Sequence, residues 1–528
     1  MKGSELLTAQ LASEGVEVIF GIPGIHLMHV LDALYDEGRL RFITTRHEQA
    51  TTYMADGYAR VTGRPGVAMV VPGPGVYNAA SGLATAWASS SPVLLIAGQI
   101  EHHAVGRGLG MTHEIHDQLE VVRPITKSCE RVASADDLAA AVRRAFAVMT
   151  DGRPRPAEIE ISPELFAAVS GGATASPTPP ARHEPDLDLV DKAAELLASA
   201  TAPLVVGGAG VVLADATDAF TAVAEWLQAA VVNTREGKGC IDERHPLFVG
   251  TAWVNRRLRP AIERADVVLA VGTRCHGLNL RPDQVLVHLD VDPDEFGKHG
   301  NPAVAVEGDA RLSLEALLAA LDARGAARPP RGDDLAEARS TIDAGLRAVG
   351  PQYEMVTALR DAIPEDGVLA VGTTTVGYMC HLAYRAYAPR TYITSSYMGT
   401  LGYCFPTALG AKVGRPDLPV VSVNGDGGFM FCAAELATAV QYGINVVTVV
   451  FNDSAYGNTN RDQLENFGGR VIGTELANPD FVKFAESFGA VGVRVTTTDA
   501  LRGAVADGLA DNRPVVIEMP MERLPSLF

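Results

Sequence analysis

The sequence has few of the features that mark secreted, membrane-spanning or nucleic-acid-binding proteins. Its six cysteines are scattered and form no C-x-x-C pair, a usage typical of buried thiols in a reducing compartment rather than of a disulfide framework. No apolar run reaches ~18 residues. The segment from Met1 to Gly15 carries acidic residues where a signal peptide needs an apolar stretch. These absences predict a soluble protein of the cytoplasm.

Positive charge is scarce as well. Lys and Arg total 44 against 63 Asp and Glu, which gives a formal net charge of −19, and no Lys/Arg-rich block is present. A cationic surface supplies most of the affinity of proteins for nucleic acids and anionic membranes. The composition therefore predicts no nucleic acid and no membrane as partners.

The 528 residues, 47% of them hydrophobic, are enough for three domains of ~150 residues each. Two stretches rich in proline and small residues, Ser170 to Asp186 and Ala323 to Asp334, are predicted linkers. The predicted domains are residues 1–169, 187–322 and 345–528.

All three segments alternate short β-branched runs, which end in glycine-rich turns, with helical stretches rich in Ala and Leu. This alternation predicts the α/β class, with three doubly wound parallel sheets covered by helices on both faces. The predicted strands are Val16-Phe20, Phe42-Thr45, Val67-Val71, Val93-Ala97, Leu204-Val206, Val267-Val271, Val285-Leu289, Val368-Val371, Val420-Val423, Val446-Phe451 and Val515-Glu518.

Two aspartates of the third segment follow neighbouring predicted strands. Asp426 lies in Asn424-Gly425-Asp426-Gly427-Gly428, and Asp453 follows Asn452 at the end of the next strand. In one βαβ unit both would emerge at the same sheet edge, where ligands of such sheets bind. Two carboxylates suit Mg²⁺ held together with a phosphate, and a helix predicted to begin just after Gly428 would add N–H donors. Either aspartate alone fits equally well as a helix cap or turn residue.

The stretch from Gly425 to Asp453 resembles the cofactor motif of the thiamine-diphosphate-dependent enzymes, in which a GDG is followed downstream by a pair of asparagines. Acetolactate synthase, pyruvate decarboxylase, benzoylformate decarboxylase and benzaldehyde lyase belong to this family. The resemblance implies that Asp426, Asp453 and the main-chain carbonyl of Ala455 hold Mg²⁺. Asp453 stands where Asn is usual, so an extra negative charge would face the diphosphate, and its effect on metal preference is open.

The resemblance extends over most of the chain. Gly372-Thr373-Thr374-Thr375 occupies the family's diphosphate loop, although an ordinary Thr-rich helix cap has the same pattern. In Met398-Gly399-Thr400-Leu401-Gly402-Tyr403, the Gly399 carbonyl would receive the aminopyrimidine and Leu401 would bend the cofactor, although such a leucine can also be plain core. The cofactor-binding residues so implied are Pro23, Glu48, Asn78, Thr373, Thr374, Thr375, Gly399, Leu401, Gly425, Asp426, Gly427, Gly428, Tyr456 and Gly457.

Glu48 lies in Thr45-Arg46-His47-Glu48-Gln49-Ala50, which follows a predicted strand and opens a helix. An isolated glutamate there would be stabilised by the helix dipole or by Arg46. In the family, however, RHEQA carries the glutamate that bonds N1′ of the pyrimidine, and Gly73-Pro74-Gly75-Val76-Tyr77-Asn78 resembles the accompanying GPGxxN loop. Burial beside an apolar cofactor would favour the protonated acid that this role needs.

The substrate side rests on weaker matches. His26 stands where pyruvate decarboxylase has an active-site Asp and benzaldehyde lyase a His, and it would donate a proton to the carbonyl or enamine; a helix-capping His is the alternative. The loop from Thr112 to Gln118 falls where relatives place an active-site Gln, with His113 the nearest match and Glu114 the alternate. The implied catalytic set is Glu48, His26 and His113, whereas His102-His103 is interpreted as a solvated pair.

The middle segment has a nucleotide-like loop, Gly207-Gly208-Ala209-Gly210, and the corresponding domain of acetolactate synthase holds FAD. A lone glycine loop is weak evidence. The stretch after His245-Pro246 lacks the Met-His-Gly-type segment of FAD-binding relatives and contains Trp253. We therefore expect no FAD and a structural role for this domain.

The resemblance implies a thiamine-diphosphate- and Mg²⁺-dependent 2-oxo acid decarboxylase or carboligase of the acetolactate synthase-like group. An enamine formed on the cofactor would be protonated or added to a carbonyl acceptor. The alternatives are a non-decarboxylating acyloin lyase or ligase, suggested by His26, and a non-catalytic nucleotide- or partner-binding protein. The family also implies a homodimer or homotetramer whose sites are shared between subunits.

Overall fold

The computed structural model describes residues 1–177, 179, 181–331 and 334–527. Within these ranges the strands form three six-stranded sheets, and every pairing between neighbouring strands is parallel. The predicted α/β class with three parallel sheets is confirmed. Positions 178 and 180 of the first predicted linker, and 332 and 333 of the second, lie outside the described residues.

The first sheet has the order β2-β1-β3-β4-β6-β5. Its strands are β1 (Val18–Gly21), β2 (Arg41–Thr44), β3 (Gly66–Val70), β4 (Val93–Gly98), β5 (Ser128–Arg131) and β6 (Ala157–Ile161). The α-helices of this segment are α1 (Gly3–Ser13), α2 (Met28–Glu37), α3 (Glu48–Thr62), α4 (Pro74–Ser89), α5 (Gln118–Val122), α6 (Leu138–Thr150) and α7 (Pro163–Ala167).

The central sheet has the order β12-β11-β10-β7-β8-β9, which is the doubly wound order of dinucleotide-binding folds. Its strands are β7 (Leu204–Gly207), β8 (Ala230–Asn233), β9 (Phe248–Thr251), β10 (Val267–Val271), β11 (Val285–Asp290) and β12 (Val304–Glu307). The α-helices of this segment are α8 (Leu187–Ser199), α9 (Ala209–Leu213), α10 (Thr217–Leu227), α11 (Arg259–Arg264) and α12 (Ala310–Asp322).

The third sheet, β14-β13-β15-β16-β18-β17, repeats the strand order of the first. Its strands are β13 (Val368–Val371), β14 (Tyr392–Ile393), β15 (Val420–Gly425), β16 (Val447–Asn452), β17 (Val491–Arg494) and β18 (Val515–Pro520). The α-helices from the second linker onward are α13 (Asp334–Arg347), α14 (Gln352–Ala362), α15 (Thr375–Ala383), α16 (Cys404–Gly414), α17 (Asp426–Met430), α18 (Leu436–Tyr442), α19 (Gly457–Asn466), α20 (Phe481–Ser487) and α21 (Thr498–Ala510).

All the predicted strands are present with ends within two residues, but seven strands of the sheets were not predicted. Strands β5 and β17 are half-buried edges with polar residues, and β14 is only two residues long. Strand β6 carries Glu158 and Glu160 in a fully buried position, where the sequence pattern requires apolar side chains. The remaining three are β8, β9 and β12.

Helices α3 and α16 join the first and third sheets through a close crossing. A Cβ at Gly57 would lie 2.0 Å from the Thr407 carbonyl oxygen, and one at Gly410 would lie 1.9 Å from that of Met54. Only glycine permits this approach. Buried apolar residues of both sheets belong to one core cluster, so these two parts of the chain pack directly on each other. Among the described residues, no helix is long and apolar enough to cross a membrane.

Candidate functional site

Glu48 is the first residue of α3 and lies beyond the carboxyl end of β2. The preceding residue His47 caps the helix, its Nδ1 accepting a hydrogen bond of 3.2 Å from the Gln49 amide. Asn78, on α4 after β3, donates a 2.9 Å hydrogen bond from Nδ2 to Oε2 of Glu48. The fold therefore brings together the two first-segment residues that the family resemblance selected.

The loop that carries Glu48 is held by a residue of the third segment, Glu435. Its buried carboxylate accepts hydrogen bonds from the amides of Arg46 (2.9 Å) and His47 (3.0 Å) and from the Thr438 hydroxyl (2.7 Å). Burial raises the pKa of Glu435, and these hydrogen bonds partly offset the shift. No sequence pattern predicts this role, because Glu435 lies 389 positions from Arg46.

Asp426 and Asp453 do emerge at one edge of the third sheet, after β15 and β16. Asp426 is 1% exposed and accepts a 2.6 Å hydrogen bond from Asn478, which also donates to the Asn452 side chain at 3.0 Å. Burial raises the pKa of Asp426, the Asn478 bond partly offsets this, and the nearby Asp453 carboxylate raises it further. A buried carboxylate with a second carboxylate nearby is a site that a cation would stabilise.

The helix after β15 begins earlier than predicted. Helix α17 starts at Asp426 itself, with Gly425 as its N-cap, and not after Gly428. The predicted start of this helix is too late because the glycines at 427 and 428 are typical of a turn and unfavourable within a helix. Asp426 is thus a first-turn residue whose carboxylate faces Asn478 rather than a helix cap.

The backbone beyond Asp453 is shaped around its carboxylate. A Cβ at Gly457, the first residue of α19, would lie 2.3 Å from Oδ2 of Asp453. Ala455 forms an isolated antiparallel bridge with Glu475. That bridge uses the Tyr456 amide and the Ser454 carbonyl, so the Ala455 carbonyl is not one of its acceptors. A Cβ at Gly427 would lie 2.6 Å from the Tyr456 ring, so this glycine lets the two loops approach each other.

The predicted diphosphate loop follows β13, next to β15 in the sheet. Thr374 is the N-cap of α15, but its side chain makes no capping hydrogen bond, and a Cβ on Gly425 would lie 3.3 Å from its hydroxyl oxygen. Thr373 precedes it in the loop and Thr375 is the first residue of α15. The helix N-terminus and the hydroxyls are groups that bind phosphate oxygens.

Gly399, the predicted pyrimidine contact, and Leu401, which is predicted to bend the cofactor, lie together on the loop after β14. Gly399 has φ +61°, a left-handed conformation suited to glycine, and only the Tyr397 carbonyl comes within 4.0 Å of its Cβ position. Leu401 is half-buried, and its Cδ2 lies 4.0 Å from the Cβ position of Gly428.

His26 and His113 form a pair at the carboxyl edge of the first sheet. Their ring centroids are 5.2 Å apart, and neither buried Nδ1 has a hydrogen-bond partner in the described structure. Burial lowers the pKa of His26, and the neighbouring His113 lowers it further. Glu114, the alternate candidate, instead caps its own loop by accepting from the amides of Leu109 (3.1 Å) and Met111 (2.9 Å). The geometry therefore favours His113 over Glu114, while Pro23 is exposed in the same region.

Gln118 is a supporting residue that the sequence did not single out. It is 1% exposed, accepts from the Gly73 amide at 3.0 Å and donates to the Gly98 carbonyl at 3.0 Å and to Glu160 at 3.1 Å. These bonds fix the start of the loop that leads to Asn78. His102 and His103 are exposed, as expected for a solvated pair.

A cavity of about 930 Å³ lies at the carboxyl edge of the central sheet. Its lining includes Gly210, Glu236, Trp253 and Arg274. Trp253 packs against His381 of α15, with ring centroids 4.8 Å apart. The expectation that no FAD binds here stays a prediction.

The candidate residues thus form two groups, one at the edge of the first sheet and one at the edge of the third. Among the described contacts, none joins Glu48 or Asn78 to Asp426 or Asp453.

Three family models match the chain along its length. The N-terminal TPP-binding domain of thiamine pyrophosphate enzymes matches residues 1–121, the central domain matches 190–317, and the C-terminal TPP-binding domain matches 370–519. Thiamine pyrophosphate is another name for thiamine diphosphate. The chain belongs to the thiamine-pyrophosphate-dependent enzymes, and it is an enzyme of this class acting on C–C bonds of small molecules.

Within the class, the chain is similar over nearly its whole length to curated relatives. It is 33% identical to a probable acetolactate synthase large subunit of Methanocaldococcus jannaschii, covering 99% of this chain and 93% of the relative. It is 34% identical to a probable 2-ketoarginine decarboxylase of Pseudomonas aeruginosa, covering 98% and 94%. It is 29% identical to the acetolactate synthase large subunit of Haemophilus influenzae, covering 100% and 96%. The chain is therefore acetolactate synthase-like.

Proposed function

We propose that this enzyme is a thiamine-diphosphate- and Mg²⁺-dependent 2-oxo acid decarboxylase or carboligase of the cytoplasm. The observation that supports this proposal most is that the first and third sheets have the same strand order but carry complementary functional groups. The first carries the Glu48–Asn78 pair, and the third carries the buried Asp426 and the neighbouring Asp453 beside a hydroxyl-bearing helix N-terminus. All six cysteines are free thiols, which favours a reducing compartment.

In this proposal Glu48 bonds the pyrimidine ring nitrogen of the cofactor and moves a proton at that atom, while Asn78 keeps the carboxyl in position. The bound cofactor supplies the carbon nucleophile and the electron sink. Gly399 and Leu401 would hold the pyrimidine end of the cofactor. His26 and His113 contact the substrate and exchange a proton with its carbonyl oxygen.

Asp426, Asp453 and the Ala455 carbonyl would hold Mg²⁺ against the diphosphate. Across the described part of the chain, no group of three or more His, Cys, Asp or Glu side chains forms a metal cluster. A site built from two carboxylates, a carbonyl and phosphate oxygens is the kind that Mg²⁺ uses. Thr373, Thr374, Thr375 and the N-terminus of α15 complete the diphosphate contacts.

The test of this proposal is a substrate panel. Purified enzyme with thiamine diphosphate and Mg²⁺ is offered pyruvate, longer 2-oxo acids, benzoylformate and 2-ketoarginine while CO₂, aldehydes and acyloins are measured. We expect CO₂ release from at least one 2-oxo acid and loss of turnover when the divalent cation is chelated. Turnover that survives chelation and cofactor removal would contradict the proposal.

His26 supports a second candidate, an acyloin lyase or ligase that needs no decarboxylation, because a histidine at this place can exchange a proton with a substrate carbonyl. That activity would convert acyloins to aldehydes, or the reverse, while no 2-oxo acid releases CO₂. A protein that binds the cofactor and turns over nothing in either panel would instead be the non-catalytic binding protein.

We propose further that the active sites are shared between two subunits of a homodimer or homotetramer. Large apolar side chains near both groups of site residues are exposed in the single chain, including Ile25 at 78%, Tyr77 at 55% and Phe431 at 49%. Exposed apolar groups around a site are typical of a surface that another chain covers.

Complementation tests this arrangement directly. Glu48→Gln and Asp426→Asn subunits are mixed after unfolding and refolded together, and activity is assayed at a cofactor concentration at which neither variant alone is active. If the sites are shared, each mixed dimer holds one intact site, and random mixing restores roughly a quarter of the wild-type activity. If each chain builds its own site, mixing restores nothing. Light scattering after gel filtration gives the subunit number.

A further inference from the structure

The C-terminal segment after β18 reaches the proposed metal loop through Arg523. Its Nε lies 3.6 Å from Oδ2 of Asp453, and its guanidinium also donates a hydrogen bond to the Asn460 side chain on α19. The Asp453 side chain is only 9% exposed and that of Arg523 is 30% exposed, so the aspartate end of this ion pair is largely shielded from water. Arg523 is thus the cationic partner of the aspartate that departs from the family pattern.

The segment that carries Arg523 is fixed at several points. The Met521 amide donates to the Asn452 carbonyl at 2.9 Å. Arg461 on α19 donates to the Leu524 carbonyl at 3.3 Å, and Gln352 donates to the Pro525 carbonyl at 3.2 Å. Leu524 itself is buried. Arg523 is therefore held beside Asp453 by hydrogen bonds to the backbone on both sides of it.

We propose that Arg523 is a positioning residue that balances the charge of Asp453, so that an aspartate can serve where the family uses asparagine. Asp453 adds one negative charge to the loop and Arg523 adds one positive charge, which leaves Asp426 as the single uncompensated carboxylate. The diphosphate then meets the same net charge that an asparagine at 453 would present. The inference rests on the proposed function, since it assumes that this loop binds the metal and the diphosphate.

Helix α19 contributes to the same balance. Gly457 leaves room for the Asp453 carboxylate against the first residue of this ten-residue helix. A helix N-terminus favours a negative charge there. The helix stabilises Asp453 but cannot cancel its charge, which is why the loop needs a cationic side chain as well.

The test is a double-mutant cycle on cofactor binding, read without substrate. The affinity for thiamine diphosphate at saturating Mg²⁺ is measured by calorimetry for wild type, Arg523→Gln, Asp453→Asn and the double variant. We expect Arg523→Gln to weaken binding about 10-fold or more, because an unpaired carboxylate then faces the diphosphate. Asp453→Asn in the same chain should recover most of that loss, because it removes the unpaired charge.

A matched control is Arg502→Gln on α21, which removes a guanidinium that pairs with Asp499 at 2.8 Å and with Asp361 of α14 at 3.7 Å. Its affinity should equal that of wild type. Thermal melts without cofactor confirm that each variant is folded. A double variant as weak as Arg523→Gln alone would overturn the inference and leave Arg523 as an anchor of the C-terminal segment. Wild-type binding that does not depend on Mg²⁺ would contradict the proposed metal site, and the inference with it.

Discussion

The first and third sheets have the same strand order and carry different chemistry at corresponding strand ends. After β3, Pro74 begins a helix whose Asn78 bonds the half-buried Glu48. After β15, the counterpart of β3, the buried Asp426 begins a helix and lies near Asp453. The strand order determines where functional side chains emerge from each sheet. The loop residues determine whether the sheet edge carries one carboxyl with an amide partner or two neighbouring carboxylates.

The two edges also differ in what surrounds their carboxylates. Asp426 and Asp453 have partners from distant segments, Asn478 and Arg523. The first sheet holds its reactive loop through backbone amides instead, by means of Glu435. We infer that the third sheet is built to bind charge and the first to move a proton. Three substitutions separate these tasks, and a fourth tests the contact that joins the two sheets.

The largest effect is expected for Glu48→Gln, which keeps the shape but removes the proton-transferring carboxyl. The rate should fall about 10²- to 10⁴-fold, the usual contribution of general acid–base catalysis. Affinity for thiamine diphosphate, measured by calorimetry, should change little because the third sheet binds the diphosphate. Glu120→Gln removes an exposed carboxylate of the same segment and should be silent. Equal rates for Glu48→Gln and wild type would contradict the mechanism.

Asp426→Asn should have the next largest effect, and on binding rather than on proton transfer. Losing a metal ligand should weaken Mg²⁺-dependent binding of thiamine diphosphate by at least roughly 10–100-fold. Equilibrium dialysis of the cofactor at several Mg²⁺ concentrations measures the loss. If the variant binds thiamine diphosphate with the wild-type affinity at each Mg²⁺ concentration, Asp426 is not a metal ligand.

Gly410→Ala tests the contact that joins the two sheets. Its Cβ would meet the Met54 carbonyl oxygen at 1.9 Å, so the α3–α16 crossing must open, at a cost of about 1–3 kcal/mol in the free energy of unfolding. Gly503→Ala on α21 is the control, since nothing lies within 4 Å of its Cβ and alanine favours a helix. Thermal and urea unfolding should show the first variant less stable and the second unchanged or more stable.

The smallest expected effect is the shift of the pH profile in His113→Asn, which is separate from the rate lost with the substrate contact itself. Burial and the neighbouring His113 both lower the pKa of His26, which favours its neutral form. A step that needs protonated His26 therefore slows as the pH rises through that pKa. Removing His113 should raise the pKa of His26 and move the alkaline limb of kcat/KM to higher pH by up to about one unit. A shift to lower pH would exclude this coupling.

Much of the fold could be predicted because its central strands are continuous apolar runs. Strand β6 was missed for a physical reason: Glu158 and Glu160 lie in a fully buried strand, and burial raises the pKa of Glu158 well above its usual range. Glu160 is tolerated in this strand through neighbours that no local pattern reveals, because Gln118 and Arg131 bond its carboxylate.

The candidate site shows the same difference between what local sequence predicts and what contacts between distant segments decide. The residues of the cofactor motifs lie on short loops after strands, so sequence order alone placed Asp426 and Asp453 at one edge, and Glu48 and Asn78 at another. Their partners Asn478, Glu435 and Gln118 could not be predicted, because each contact joins segments with no shared periodicity.

The sequence by itself determined the α/β class, the thiamine-diphosphate family and most candidate ligands, since these depend on strand patterns and on motifs within single loops. Only the tertiary structure decided which charges balance each other. Desolvation and ion pairing arise when the chain folds, and they depend on distances between residues far apart in sequence. Asp453 is the clearest case, because its charge is paired with Arg523, whose Nε lies 3.6 Å from its Oδ2 atom.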